Sequence, residues 1–153
     1  LGYGVSCDAY HITSPSEGGE GAISCMQNAI KDAGLSPQDL QYINAHGTST
    51  PLNDAAEAQA VSAVFGERAV PVTSGKGVTG HALGAAGALE AAQALLSIQH
   101  RKIHPTGGTT ELDPALAIDL VTGQPRDWTP GPVISNNFGF GGHNGSVIIA
   151  PAS

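Results

Sequence analysis

The sequence predicts a layered α/β domain, a mixed sheet of about five strands with helices on its faces, and three observations carry that expectation. Short apolar strand candidates alternate with helical stretches along the chain. The polar, glycine-rich motifs follow strand candidates, where a layered fold places its chemistry. Twenty-one glycines, alanine-rich runs and only 12% charged residues suit closely packed layers better than a disordered chain or a repeat array. At 153 residues the chain fits one domain that buries roughly 70% of its unfolded surface.

Taken in order, the elements begin with Leu1-Gly2-Tyr3-Gly4-Val5-Ser6, which reads as the end of a strand; with no initiating Met, further chain is expected before it. Helical periodicity over residues 22–33 stops at Gly34, suited to a left-handed helix end, with Pro37 soon after. Residues 42–45 form a short strand leading into His46. Residues 54–65 form a second helix, with Asn53 or Thr50 as cap and Asp54 and Glu57 placed to meet its N-terminal dipole. Strand 70–73 leads into a loop over 74–80 centred on Lys76.

The helix predicted over 82–98 is apolar nearly all round, so it is expected at the middle of a layered protein. A carboxylate there, Glu90, needs a partner or a raised pKa. Lys76 is the candidate, although Glu90 lies roughly 13 Å beyond His81 along a helix axis, so the loop has to fold back. Residues 117–121, 133–137 and 146–150 are further strand candidates. Between the last two, the run from Phe138 to Gly145 alternates Phe and Gly, a tight loop that presents backbone amides.

A formal charge of −7 argues against nucleic-acid binding, which needs clustered Lys and Arg. No apolar run reaches membrane-spanning length, and a cytoplasmic setting is expected. Cys7 and Cys25 form no CxxC pair; Cys25 fits a buried helix position, Cys7 stands beside Asp8, and neither is expected to be a nucleophile. His100 and His104 are four apart but lack a third ligand nearby, so no metal is expected. His143 reads as a loop hydrogen-bonder.

His46, Lys76 and His81 in glycine-flanked loops converge on a thioester oxygen or an oxyanion. A fixed N–H aimed at developing charge contributes about 3 kcal/mol. Thr48 and Thr50 stand beside His46 for a polar substrate arm. His46 alone would read as a structural histidine, whereas with its companions it reads as a site. Lys76 and Glu90 fit a structural ion pair and direct chemistry about equally, and the two roles are compatible.

Four motifs in order, Ser6-Cys7-Asp8-Ala9-Tyr10-His11, Asn44 through Pro51, Lys76 through Gly87, and Asn137 through Gly142, resemble the C-terminal half of an elongating, type II β-ketoacyl-(acyl-carrier-protein) synthase. The resemblance implies residues 1–153 as one thiolase-like half of a layered αβαβα enzyme that works as a homodimer. It implies decarboxylative Claisen condensation of malonyl-carrier protein with an acyl thioester, in fatty acid or polyketide elongation, with no cofactor beyond the carrier's phosphopantetheine.

In that resemblance His46 and His81 hydrogen-bond the malonyl carbonyl, Lys76 acts through Glu90, and Thr48 and Thr50 contact the pantetheine arm. Phe140 gates the acyl pocket, with Phe138 beside it. The acyl-holding cysteine belongs to the family's N-terminal half, so this chain alone is expected to be inactive. Ser74-Gly75-Lys76 departs from the common Ser-Thr-Lys pattern. A noncatalytic chain-length-factor-like partner and a thioester-binding module are the alternative readings.

Overall fold

The structure, a computed structural model, describes residues 1–152. One mixed sheet organises it, with six strands rather than about five: β1 (Gly2–Cys7), β2 (Tyr42–Asn44), β3 (Pro71–Thr73), β5 (Asp119–Leu120), β7 (Val133–Gly139) and β8 (His143–Ile149), in the order β1-β8-β7-β2-β3-β5. A separate antiparallel pair joins β4 (Lys102–Ile103) to β6 (Arg126–Asp127). These pieces are two residues long, too short to leave a hydrophobic period in the sequence.

Strands β7, β2, β3 and β5 run parallel, while β8 is antiparallel to both β7 and β1. The β7–β8 hairpin therefore closes the sheet on one side, and β1 is added outside it. Three neighbouring strands, β7, β2 and β3, end on the same edge, and that edge receives Phe138, His46 and Lys76. This is the C-terminal crevice of an open parallel sheet, the usual place for ligand chemistry in α/β folds.

Helix α1 (Glu20–Asp32) buries Ala22, Cys25, Met26, Ala29 and Ile30, spaced so that one stripe faces the sheet. It ends in a Schellman motif: Gly34 N donates to Lys31 O and Leu35 N to Ile30 O, with Gly34 at φ +67°. β1 lies backbone-to-backbone against α1, since a Cβ on Gly4 would stand 2.2 Å from Cys25 O. Burial raises the Cys25 thiol pKa, as expected of an inert core cysteine.

Helix α2 (Pro51–Phe65) begins three residues earlier than its apolar pattern indicates, because Pro51 fits the first helical position after an extended Thr50. Residues 74–80, expected as a loop, contain the one-turn helix α3 (Lys76–Thr79). Helix α4 (Ala86–His100) follows a 3₁₀ turn at Leu83–Ala85. It is not enclosed as expected: Ala86, Glu90, Ala94 and Ser97 face the sheet, while Leu89, Leu95 and Leu96 are 41%, 54% and 52% exposed. Only one side of the helix meets this chain. None of the helices is long and apolar enough to cross a membrane among the described residues.

Candidate active site

His46 follows β2 directly, and the turn after it is fixed from behind. Glu57, on the first turns of α2, accepts the N–H of His46 through Oε1 and that of Gly47 through Oε2, each at 2.8 Å. Asn53 Nδ2 donates to the same Oε2 at 3.3 Å. Glu57 is thus a buried clamp rather than the dipole partner its position near the start of α2 suggested. Burial raises its pKa, opposed by these hydrogen bonds. Its periodicity was a legible signal, since 57, 58, 61 and 65 share the buried face of α2. Gly47 takes φ +46° with Ser74 so close that a Cβ would meet it at 2.5 Å.

The His46 ring is buried, with Nδ1 unpartnered among the described residues, and it lies edge-on to His81 with centroids 5.4 Å apart at 84°. Phe138 covers it from β7 at 6.0 Å. Burial, reinforced by the charge of Lys76 and by His81, lowers the His46 pKa to about 3. The imidazole is neutral at physiological pH, with one N–H to donate. His81 is exposed, and its Nδ1 accepts Leu83 N–H at 3.2 Å, which assigns the proton of the neutral ring to Nε2.

Lys76 and Glu90 meet in a buried ion pair, so the segment does fold back along α4. α3 and the following 3₁₀ turn supply the reversal. The other carboxylate oxygen accepts Asn137 Nδ2 at 2.6 Å, and Asn44 Nδ2 donates to Glu90 O at 2.9 Å. β2, β7, α3 and α4 are tied together at this point. Neither the residue type nor the spacing of Asn44 and Asn137 signals that both turn toward α4.

A cleft of about 750 Å³ opens over the two histidines, lined by Thr48, Thr50, Leu83, Phe138, Phe140 and His143 among others. The Thr48 and Thr50 hydroxyls lie 2.9 Å apart on its wall. Phe140 is 77% exposed between Gly139 and Gly141, whereas Phe138 packs on the core. His143 does not sit within the loop; it opens β8, exposed. Cys7 ends β1 and Cys25 is buried in α1; neither lines the cleft. His100 ends α4, and His104 follows β4, bonded to Tyr42 and Thr73.

Residues 1–110 match the family described as "Beta-ketoacyl synthase, C-terminal domain". The chain is 47% identical over 150 residues to 3-oxoacyl-[acyl-carrier-protein] synthase 2 of Staphylococcus aureus, covering 97% of this chain and 37% of that protein. It therefore spans little more than a third of that relative. A β-ketoacyl synthase from Burkholderia phymatum superposes with a TM-score of 0.95 at 41% identity, over the whole chain and 37% of that structure. A type II polyketide ketosynthase solved with its acyl-carrier protein superposes at 0.94 and 34% identity, over 99% of this chain and 38% of that one. The fold is thus the thiolase-like ketosynthase fold, and the chain belongs to the β-ketoacyl synthase C-terminal domain family.

Proposed function

We propose that residues 1–153 form the C-terminal, malonyl-activating half of a 3-oxoacyl-(acyl-carrier-protein) synthase of fatty acid elongation. The observation that carries the reading is the pair of edge-on imidazoles, 5.4 Å apart, one buried and neutral and the other with its proton on Nε2, at the mouth of a cleft. Two N–H donors suit a carbonyl oxygen that becomes an enolate. Each contributes about 3 kcal/mol when it is fixed before charge develops.

In the reaction the malonyl thioester carbonyl accepts from His46 and His81. The bond to the carboxylate breaks, carbon dioxide leaves, and the electron pair passes to the thioester enolate. The enolate carbon attacks an acyl thioester held on a cysteine of the remaining part of the synthase. The carbon–sulfur bond breaks, its electron pair leaves with the cysteine as thiolate, and the 3-oxoacyl product stays on the carrier.

Lys76 and Glu90 hold the site in shape, and burial, reinforced by the Lys76 charge, keeps His46 unprotonated. Thr48 and Thr50 meet the pantetheine arm, and Phe140, on its glycine hinge, gates the acyl pocket beside Phe138. The carrier's phosphopantetheine is part of the substrate, and the reaction calls for no separate cofactor. The exposed leucines of α4 belong against the remainder of a dimeric, cytoplasmic enzyme.

His46→Ala in the full-length synthase is expected to abolish carbon dioxide release from malonyl-carrier protein. Release at the unaltered rate by folded variant protein defeats the proposal. A missing cysteine at the strand-to-helix turn of the N-terminal half would favour the noncatalytic partner reading.

A further inference from the structure

His104, which the expected chemistry leaves without a part, lies at the start of a hydrogen-bond chain that ends on both loops of the site. Its Nδ1 lies 3.2 Å from Pro105 O and 3.3 Å from Thr73 Oγ1. A carbonyl only accepts, so the proton sits on Nδ1, and Nε2 accepts from the Tyr42 hydroxyl at 3.1 Å. Thr73, receiving from His104, donates to Thr106 Oγ1 at 3.1 Å, and that oxygen also accepts Ser74 N–H at 3.2 Å.

Ser74 then divides its hydroxyl between the two loops. The O–H donates to Gly47 O at 3.1 Å, and the oxygen accepts Lys76 N–H at 3.3 Å. One serine therefore touches the residue after His46 and the lysine paired with Glu90. Tyr42, Thr73 and Ser74 are buried, whereas His104 and Thr106 are half-buried. Burial also favours the neutral form of His104, the form the chain requires.

We propose that His104 is a positioning residue, which through Thr73, Thr106 and Ser74 sets the relative placement of the His46 and Lys76 loops. The inference rests on the malonyl-activating role of those loops. His104 touches no reacting atom; it fixes the Thr73 hydroxyl as a donor to Thr106, whose oxygen also receives the Ser74 amide and so holds the residue that touches both loops. A displacement of the loops by a fraction of an ångström is enough to matter for preorganised donors.

Full-length synthase carrying His104→Leu is expected to release carbon dioxide from malonyl-carrier protein with kcat lowered about ten-fold and KM unchanged. His104→Asn, which keeps a donor toward Thr73, is expected to restore the rate to within about two-fold, at a melting temperature matching that of the leucine variant. In crystals of His104→Leu, the Ser74–Gly47 hydrogen bond is expected to lengthen and the two histidine rings to shift. An undiminished kcat in His104→Leu, or an asparagine variant as impaired as leucine, overturns the inference. If the unsubstituted synthase releases no carbon dioxide, the proposed reaction fails by itself, and the crystals still decide: displaced loops support the positioning role, and unmoved loops overturn it.

Discussion

The turn carrying His46 and the segment carrying Lys76 and His81 are each tethered by one buried glutamate from the following helix, but the tethers grip different parts of the chain. Glu57 of α2 holds backbone amides at His46 itself and at Gly47. Glu90 of α4 holds the side chain of Lys76, five residues before His81. The first ring is thereby buried and fixed, while the second keeps one local hydrogen bond and stays exposed. Preorganisation is built into one half of the histidine pair and left adjustable in the other.

The Glu90 tether sets the largest effect. Both partners are buried, and Asn137 depends on the same carboxylate. Glu90→Ala leaves a buried cation and an amide without partners, at an expected cost of about 3–5 kcal/mol. Urea denaturation of the purified protein measures it as a lower midpoint at constant slope. A loss under roughly 1 kcal/mol would show that the pair is surface-like in energy, and the two tethers would no longer be comparable.

Acid titration tests the burial of the His46 ring next. His46 has a folded pKa of about 3 against an ordinary value of 6.5, so the unfolded chain binds the extra proton between those limits. Its contribution to stability is present above pH 6.5 and is lost as pH falls toward 3. The size is about 3 kcal/mol, allowing for solvent at the open cleft. Glu57, whose pKa is raised by burial, contributes in the opposite sense above its ordinary 4.5. The difference between parent and His46→Gln stability curves therefore isolates the histidine. Parallel curves from pH 7 to 4 would mean that His46 is not held neutral by its surroundings.

Glu57→Ala tests the firmer tether directly. It strands two amide donors beneath His46, at an expected cost of about 2 kcal/mol, and it should lower carbon dioxide release further than its loss of folded protein explains. Glu57→Gln, which retains one acceptor oxygen, should fall between. Equal specific activity in all three proteins would separate the clamp from the chemistry.

Much of this contrast was visible in the residues before the fold was known. His46, Lys76 and His81 were legible because each lies in a glycine-rich run after a strand candidate, and parallel neighbours bring such runs to one edge. The Lys76–Glu90 pair followed from the cost of a lone carboxylate in an apolar helix. Glu57 departs from the dipole role that its helix-start position suggests, because positions 57, 58, 61 and 65 of α2 face the core. The exposed side of α4 was not legible, since apolar residues mark burial against some partner without saying that the partner lies in the same chain. β4, β5 and β6 carry two residues each, and only tertiary pairing defines them.

The smallest expected effect on stability belongs to His81, and there the comparison is sharpest. Its ring is exposed and accepts one hydrogen bond at 3.2 Å, so His81→Ala is expected to change stability by no more than about 0.5 kcal/mol. Carbon dioxide release should nevertheless fall on the order of a hundred-fold, as for loss of one oxyanion donor. Stability and activity then separate at His81 and move together at Glu57. A His81→Ala protein as destabilised as Glu57→Ala would show that both rings are equally tethered, whereas undiminished release would remove His81 from the donor pair and leave His46 to stabilise the enolate alone.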